Sequence, residues 1–263
     1  MTKNIVEILY ASRDTCRFVL DSGAFTAWKS GKPIVLDDYC RFIETLPFRP
    51  WKYFALDVIG DPEATMKNYQ IMLDRGLTPI PIFTRGDDIK VIDEYYKTSD
   101  VVGLGGLVGT PGNKGYVKSI MRVIGNRKVH WLGFTNFNFI HHYKPYMCDS
   151  SSFAAGVRYA RISLFFEPNI WVNFGKSSDL SKYAHLIREY GFDPLLFKNK
   201  HTWVNSGSGK NAIEYINILS HVRYQHYLYK KYNTLYFMAT AGTNDLSISL
   251  QGTKYLQTRG LIK

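Results

Sequence analysis

The feature that most constrains this chain is an alternation. Short apolar, β-rich runs are each followed by an amphipathic stretch, the pattern of repeated βα units. The runs are Arg17–Phe25, Lys52–Asp57, Thr78–Phe83, Val101–Leu107, Lys128–Phe134, a short one ending at Asp149, and Arg161–Phe166. Pro194–Phe197 is one candidate for an eighth. Helices are expected over Leu36–Leu46, from Asp61 with that residue as N-cap and Pro62 in the first turn, from Asp87, over Leu180–Tyr190 and over Ala212–Lys231. Runs apolar on both faces and joined by helices imply a parallel sheet. Right-handed crossovers in succession build either a barrel or a doubly wound sheet, and periodicity does not choose between them. The 263 residues suit one α/β barrel, which takes about 250. With no repeat, low-complexity run or clear linker, residues 1–263 read as one domain.

Charge bears on the partner. Lys and Arg number 33 against 22 Asp and Glu, a formal charge of +11. Such a balance points to a polyanion, because cations at phosphates release counterions. Cys16, Cys40 and Cys148 form no CxxC pair and no disulfide framework. No segment approaches the roughly 20 apolar residues of a membrane span, and the N-terminal residues lack the apolar core of a signal peptide. The expectation is a cytoplasmic protein (the host cytoplasm if phage-encoded) with no membrane role, no cofactor and no metal.

Three acidic residues close predicted strands: Asp21 after Phe18-Val19-Leu20, Asp57 after Phe54-Ala55-Leu56, and Asp149 after Tyr146-Met147-Cys148. An aspartate after a strand often serves only as a turn or helix cap. In a parallel barrel, however, all strand C-termini share one face, and three carboxylates there would converge. Crowded carboxylates raise one another's pKa, so that one serves as acid while another attacks a sugar carbon. Within Asp21-Ser22-Gly23-Ala24-Phe25, Gly23 permits a turn that most residues resist, Ser22 keeps the ligand face small, and Phe25 offers an apolar wall. Gly103-Leu104-Gly105-Gly106-Leu107-Val108-Gly109 exposes backbone to a ligand edge. Its mid-chain position excludes a dinucleotide fingerprint, and no GK[ST] follows for a phosphate loop.

These segments together resemble the tRNA-guanine transglycosylase superfamily. Asp21-Ser22-Gly23-Ala24-Phe25 is similar to its D-S-G-G-F segment, and Gly105-Gly106-Leu107 with Gly109 to its G-G-L-x-x-G loop. Phe54-Ala55-Leu56-Asp57 resembles its strand ending in a base-recognising aspartate. Cys148-Asp149 with Arg158 downstream resembles its nucleophile segment. The short length, the DSGAF-x-x-W form and the CDSSSF segment are closer to the phage and bacterial branch, the DpdA proteins, which put 7-deazaguanines into DNA.

The resemblance implies an irregular (β/α)8 TIM barrel with a helical C-terminal part, and a double displacement that exchanges guanine for a 7-deazaguanine base of the preQ0 type. Asp149 would be the nucleophile and Asp21 the general acid/base. Asp57, Ser22, Gly23, Phe25, Gly105, Gly106 and Leu107 would bind the base. The family's CxCxxC…H zinc site has no counterpart in three scattered cysteines, which favours DNA over tRNA as substrate. The family's GIVQGG segment is replaced by Ile82-Phe83-Thr84-Arg85-Gly86, so its base-contacting glutamine has no equivalent.

Other residues read more plainly. His130 inside a strand and His141-His142 after it are expected to be core and helix histidines rather than zinc ligands. Trp28, Tyr39 and Trp203 read as core aromatics, while Phe137 and Phe139 are candidates for base stacking. Arg158, Lys198, Lys200 and Lys210 are candidates for phosphate contact. A tRNA-directed enzyme, a hydrolytic N-glycosylase and a non-catalytic nucleic-acid-binding barrel are the alternatives. The chain is also compatible with a homodimer or a partner protein.

Overall fold

A computed structural model of the chain describes residues 3–107, 112–203, 210–240 and 242–262. It is a mixed α/β structure with a parallel sheet, and it divides into two compact units, residues 9–149 and residues 150–263 with 1–8.

After helix α1 (Lys3–Ser12), the first unit runs β1 (Val19–Leu20), α2 (Ala24–Ser30), α3 (Leu36–Thr45), β2 (Lys52–Tyr53), α4 (Pro62–Asp74), β3 (Ile82–Phe83) and α5 (Val91–Thr98). It continues with β4 (Val101–Leu104), α6 (Asn113–Ile124), β5 (Lys128–Trp131), α7 (Phe137–Tyr143) and β6 (Met147–Ser150). The six strands lie in chain order and parallel. β1 pairs with β2, β3 with β4, β4 with β5 and β5 with β6. A parallel bridge between Phe54 and Ile80 joins β2 to β3. There Ala55 N–H donates to Ile80 O at 2.9 Å and Ile80 N–H to Tyr53 O at 2.7 Å.

The sheet curls. Phe54 follows β2 and His130 lies in β5, so three strand spacings separate them. A flat sheet would hold them about 14 Å apart, at roughly 4.8 Å per strand. Their ring centroids are 4.9 Å apart, edge to face. Gly103 in β4 makes room for this: a Cβ there would stand 3.0 Å from Leu132 Cδ1 and 3.3 Å from Phe54 Cε1. Ile82, Val102 and Leu104 in the strands, and Phe54 and Leu56 just beyond β2, are buried, which explains the uninterrupted apolar runs. Helix starts follow local chemistry, as where Asp61 accepts from Ala64 N–H at 2.9 Å ahead of Pro62.

The second unit holds α8 (Ala155–Arg158), β7 (Arg161–Phe166), β8 (Ile170–Gly175), α9 (Ala184–Glu189), α10 (Lys210–Tyr232), β9 (Leu235–Met238) and α11 (Thr243–Thr258). Its core gathers Phe153, Ile162, Leu164, Tyr190, Ile216, Leu219 and Leu256. α10 is buried on every side from Ile216 to Tyr224, and its polar residues cover one edge of β7. Asn217 Oδ1 accepts from Ser163 N–H at 2.9 Å, Ser220 Oγ accepts from Phe165 N–H at 2.7 Å, and Asn217 Nδ2 donates to Arg161 O at 3.1 Å. An edge strand left bare would invite pairing with another chain.

Three expectations are corrected here. Arg161–Phe166 is a strand, but it pairs antiparallel with Ile170–Gly175 and is not a seventh parallel βα strand. The tight turn at 167–169, closed by Asn169 N–H to Phe166 O at 3.1 Å, returns the chain directly. Pro194–Phe197 is a 3-10 turn rather than a strand, begun by Asp193 accepting from Leu195 N–H at 2.9 Å. The first run ends at Leu20, because Gly23 at φ 77° turns the chain into α2, which carries Phe25. Among the described residues no helix is long and apolar enough to cross a membrane.

Candidate active site

The curl brings the three strand-end aspartates of the first unit together. Asp21 follows β1, Asp57 follows the bridge beyond β2, and Asp149 lies in β6. Asp21 and Asp149 sit on the first and last of six strands, yet the Asp149 charge raises the Asp21 pKa. Five spacings of a flat sheet, about 24 Å, would have screened that interaction.

Asp21 is an exposed residue whose carboxyl is nonetheless crowded by surrounding protein. Burial pushes its carboxyl above the ordinary range, the Asp149 charge adds to this, and backbone N–H groups of Gly23 and Ser22 oppose it. Those donors exist because Gly23 adopts a left-handed conformation that a side chain would strain. Burial also raises Asp57, against the pull of its own N–H and of Ser22. Ser22 Oγ donates to Asp57 Oδ1 at 3.2 Å and accepts from Ala24 N–H at 3.3 Å.

The supports around Asp57 come from two helices. Tyr39 of α3 donates its hydroxyl to Phe54 O at 2.8 Å. From α4, Asn68 Nδ2 donates to Leu56 O at 3.0 Å, and Thr65 Oγ1 accepts from Val58 N–H at 2.8 Å. The carboxylate is therefore carried on backbone that is pinned on both sides of it.

Asp149 is held by one oxygen. Its Oδ1 meets His130 Nε2 at 2.8 Å and accepts from Gly133 N–H at 3.0 Å. Oδ2 has no hydrogen-bond partner among the described residues, and the side chain is 23% exposed, so this oxygen is free to meet a ligand. His130 was expected to be buried and hydrogen-bonded, and it is; its partner is a member of the acidic cluster. The signal available in sequence was a polar residue inside an apolar strand, one strand before an aspartate. His130 pairs in register with Met147, two residues before Asp149, which places both side chains on one face.

The base-binding candidates divide. Ser22 and Gly23 lie among the aspartates. Gly105 N–H is engaged by Phe83 O at 2.8 Å, so it offers no donor to a ligand. Gly106 is exposed at φ 67°, and its N–H makes no bond among the described residues. Leu107 is 2% exposed and its carbonyl accepts from Asn113 Nδ2, so its side chain belongs to the core. Gly109 lies outside the described residues.

Phe25 and Trp28 are exposed on α2, with ring centroids 6.0 Å apart and Lys29 Nζ 4.4 Å above the Phe25 ring. Trp28 is thus not a core residue. Phe139 packs against Phe134 and Tyr143, which occupies it, and Phe137 stacks on His141.

Arg158 and Lys198 are exposed residues of the second unit. Lys200 and Lys210 belong to the same unit, and their side chains lie outside the description. A shallow cavity in the first unit lies away from the aspartates, at the opposite strand ends beside Trp51, Lys52, Ser99 and Asp100. Among the described residues no group of three or more His, Cys, Asp or Glu side chains is placed to hold a metal ion. Comparison with protein-family models, with curated proteins and with solved structures finds no match to this chain.

Proposed function

We propose that this chain exchanges guanine in a nucleic acid for a 7-deazaguanine base of the preQ0 type, through a covalent intermediate on Asp149, and that its parallel strands belong to an irregular (β/α)8 barrel. The observation that carries the reading is the cluster of Asp21, Asp57 and Asp149, drawn from β1, β2 and β6 onto one end of a curled sheet. Six parallel strands in chain order put right-handed crossovers on one face only. The other face is protected from water when the sheet closes on itself.

The reaction divides between the three carboxylates. Asp149 Oδ2 attacks C1′ of the target nucleotide as the C1′–N9 bond breaks. Asp21, held toward its protonated form, gives the departing guanine its proton. Asp57 accepts hydrogen bonds from the base's amino and ring N–H groups, and Gly106 N–H donates to a base edge. The incoming 7-deazaguanine then returns a proton to Asp21 and attacks C1′ from the same face, releasing Asp149. Each bond broken is replaced by one formed, and no cofactor enters. A duplex substrate must first release the base from its stack.

The charge of +11 suits the phosphates of either polymer, and DNA is favoured because Cys16, Cys40 and Cys148 cannot supply the zinc motif of the tRNA enzymes. The test follows labelled guanine release from guanine-containing duplex DNA and, separately, from tRNA, with and without preQ0. Exchange into DNA that requires added base supports the reading. Exchange confined to tRNA moves the substrate, and abasic product without added base replaces exchange by hydrolysis. Binding with no turnover on either polymer leaves only a nucleic-acid-binding protein.

A further inference from the structure

We propose that His130 is a positioning residue for Asp149: its Nε2–H fixes carboxylate oxygen Oδ1, so that Oδ2 is the oxygen presented to the sugar carbon. This rests on the base-exchange reading above.

The geometry supplies three supports. First, the two carboxylate oxygens are unequal. Oδ1 meets His130 Nε2 at 2.8 Å and Gly133 N–H at 3.0 Å, while Oδ2 has no partner among the described residues. Two anchors on one oxygen stop the rotation about Cβ–Cγ that would interchange the pair. Second, the imidazole tautomer is determined by its surroundings. A carboxylate only accepts, so Nε2 carries the proton. Nδ1 is buried with no hydrogen-bond partner, so nothing competes for the other tautomer. Third, the ring cannot turn away. His130 is 1% exposed, and the Phe54 ring packs on it edge to face at 4.9 Å.

Phe54 also carries the carbonyl that Tyr39 holds, and Asp57 lies three residues beyond it. The nucleophile and the base-recognising aspartate are therefore braced against the same aromatic residue. A displacement of about 1 Å at a reacting atom costs on the order of 10²-fold in rate, which sets the effect expected on losing the brace.

The experiment compares His130→Gln, His130→Asn and His130→Phe with the intact protein and with Asp149→Ala, measuring kcat and KM for guanine exchange on DNA and on tRNA. A glutamine amide nitrogen reaches the place of imidazole Nε2, and an asparagine amide nitrogen reaches that of Nδ1. The expected result is a fall in kcat of about 10²-fold for Asn and Phe at nearly constant KM, with most of the loss recovered by Gln. Equal rates for Gln and Asn, or full kcat in His130→Phe, overturn the proposal. If the intact protein exchanges no base on either polymer, the exchange reading itself falls, and if Asp149→Ala still exchanges base, Asp149 is not the nucleophile. If it does not, and His130→Phe is unimpaired, only the positioning role is lost. Should the variants fail to fold, ¹⁵N NMR of the histidine-labelled intact protein decides: a proton on His130 Nε2 is expected, and a ring protonated at Nδ1 alone overturns the assignment.

Discussion

Ser22 Oγ donates a hydrogen bond to Asp57 Oδ1 at 3.2 Å, tying the residue after the first acidic strand end to the second. Ser22 is 6% exposed, and its hydroxyl works against the burial that raises Asp57. Ser22→Ala removes that donor, so the Asp57 carboxyl moves further up and accepts less well from a base. A KM for the incoming base about fivefold higher is expected, for roughly 1 kcal/mol of lost hydrogen bonding, with kcat little changed. Steady-state kinetics with varied base concentration measures this.

Asp21 gives a prediction with opposite effects on activity and stability. Its folded pKa stands above the ordinary carboxylate range, first through burial and then through the Asp149 charge. Its contribution to stability is therefore full below the unfolded pKa and is lost as pH rises through the folded one. Asp21→Asn removes this penalty. The variant should melt higher than the intact protein at neutral pH, and the difference should vanish in acid. Exchange should slow by about 10²–10⁴-fold through loss of the general acid. Thermal melts over a pH series, with single-turnover rates, check both halves.

His221 titrates in the other sense. Burial in α10 pulls its pKa down to about 4, and its Nδ1 lies 2.8 Å from Tyr236 OH. Its share of stability is full above the unfolded value and is lost as pH falls through the folded one. The expected loss on acidification is about 3 kcal/mol. His221→Gln should flatten that part of the stability curve, as urea denaturation at a series of pH values would report.

Gly156 probes the helix that covers β7. A Cβ there would stand 2.3 Å from Asn217 Nδ2 and 2.7 Å from the Arg161 carbonyl oxygen. Gly156→Ala must displace the side chain that pairs with Ser163 N–H and Arg161 O. A loss of about 2–4 kcal/mol is expected, from overpacking and unpaired backbone groups. Denaturant melts measure it. By contrast, Gly112→Ala, with nothing within 4 Å of its Cβ, meets only the strain of its positive φ.

The first unit was legible because its signals are local. Asp61-Pro62 opens α4, apolar runs mark the strands, and an aspartate closes β1 and the extended segment after β2, while Asp149 lies in β6. The second unit was less legible because its organisation is set by tertiary contact. Arg161–Phe166 has the composition of a barrel strand, and only the return at 167–169 and the covering α10 give it an antiparallel partner. Pro194–Phe197 is apolar enough for a strand, but Asp193 before Pro194 is turn chemistry. That His130 would be buried and hydrogen-bonded was legible; that its partner is Asp149 was not, because this depends on the register that carries Asp149 beside it. That the Gly105 N–H is engaged by Phe83 O across the β3–β4 ladder was not legible, because it depends on the pairing register.

The central claim is tested most directly by trapping the intermediate. The protein is incubated with guanine-containing DNA, and in parallel with tRNA, without added base, then denatured and digested for mass spectrometry. The account predicts a nucleic-acid adduct on the peptide carrying Asp149, discharged by preQ0 and absent from Asp149→Asn. An adduct on another residue, or exchange that persists in Asp149→Asn, would contradict it.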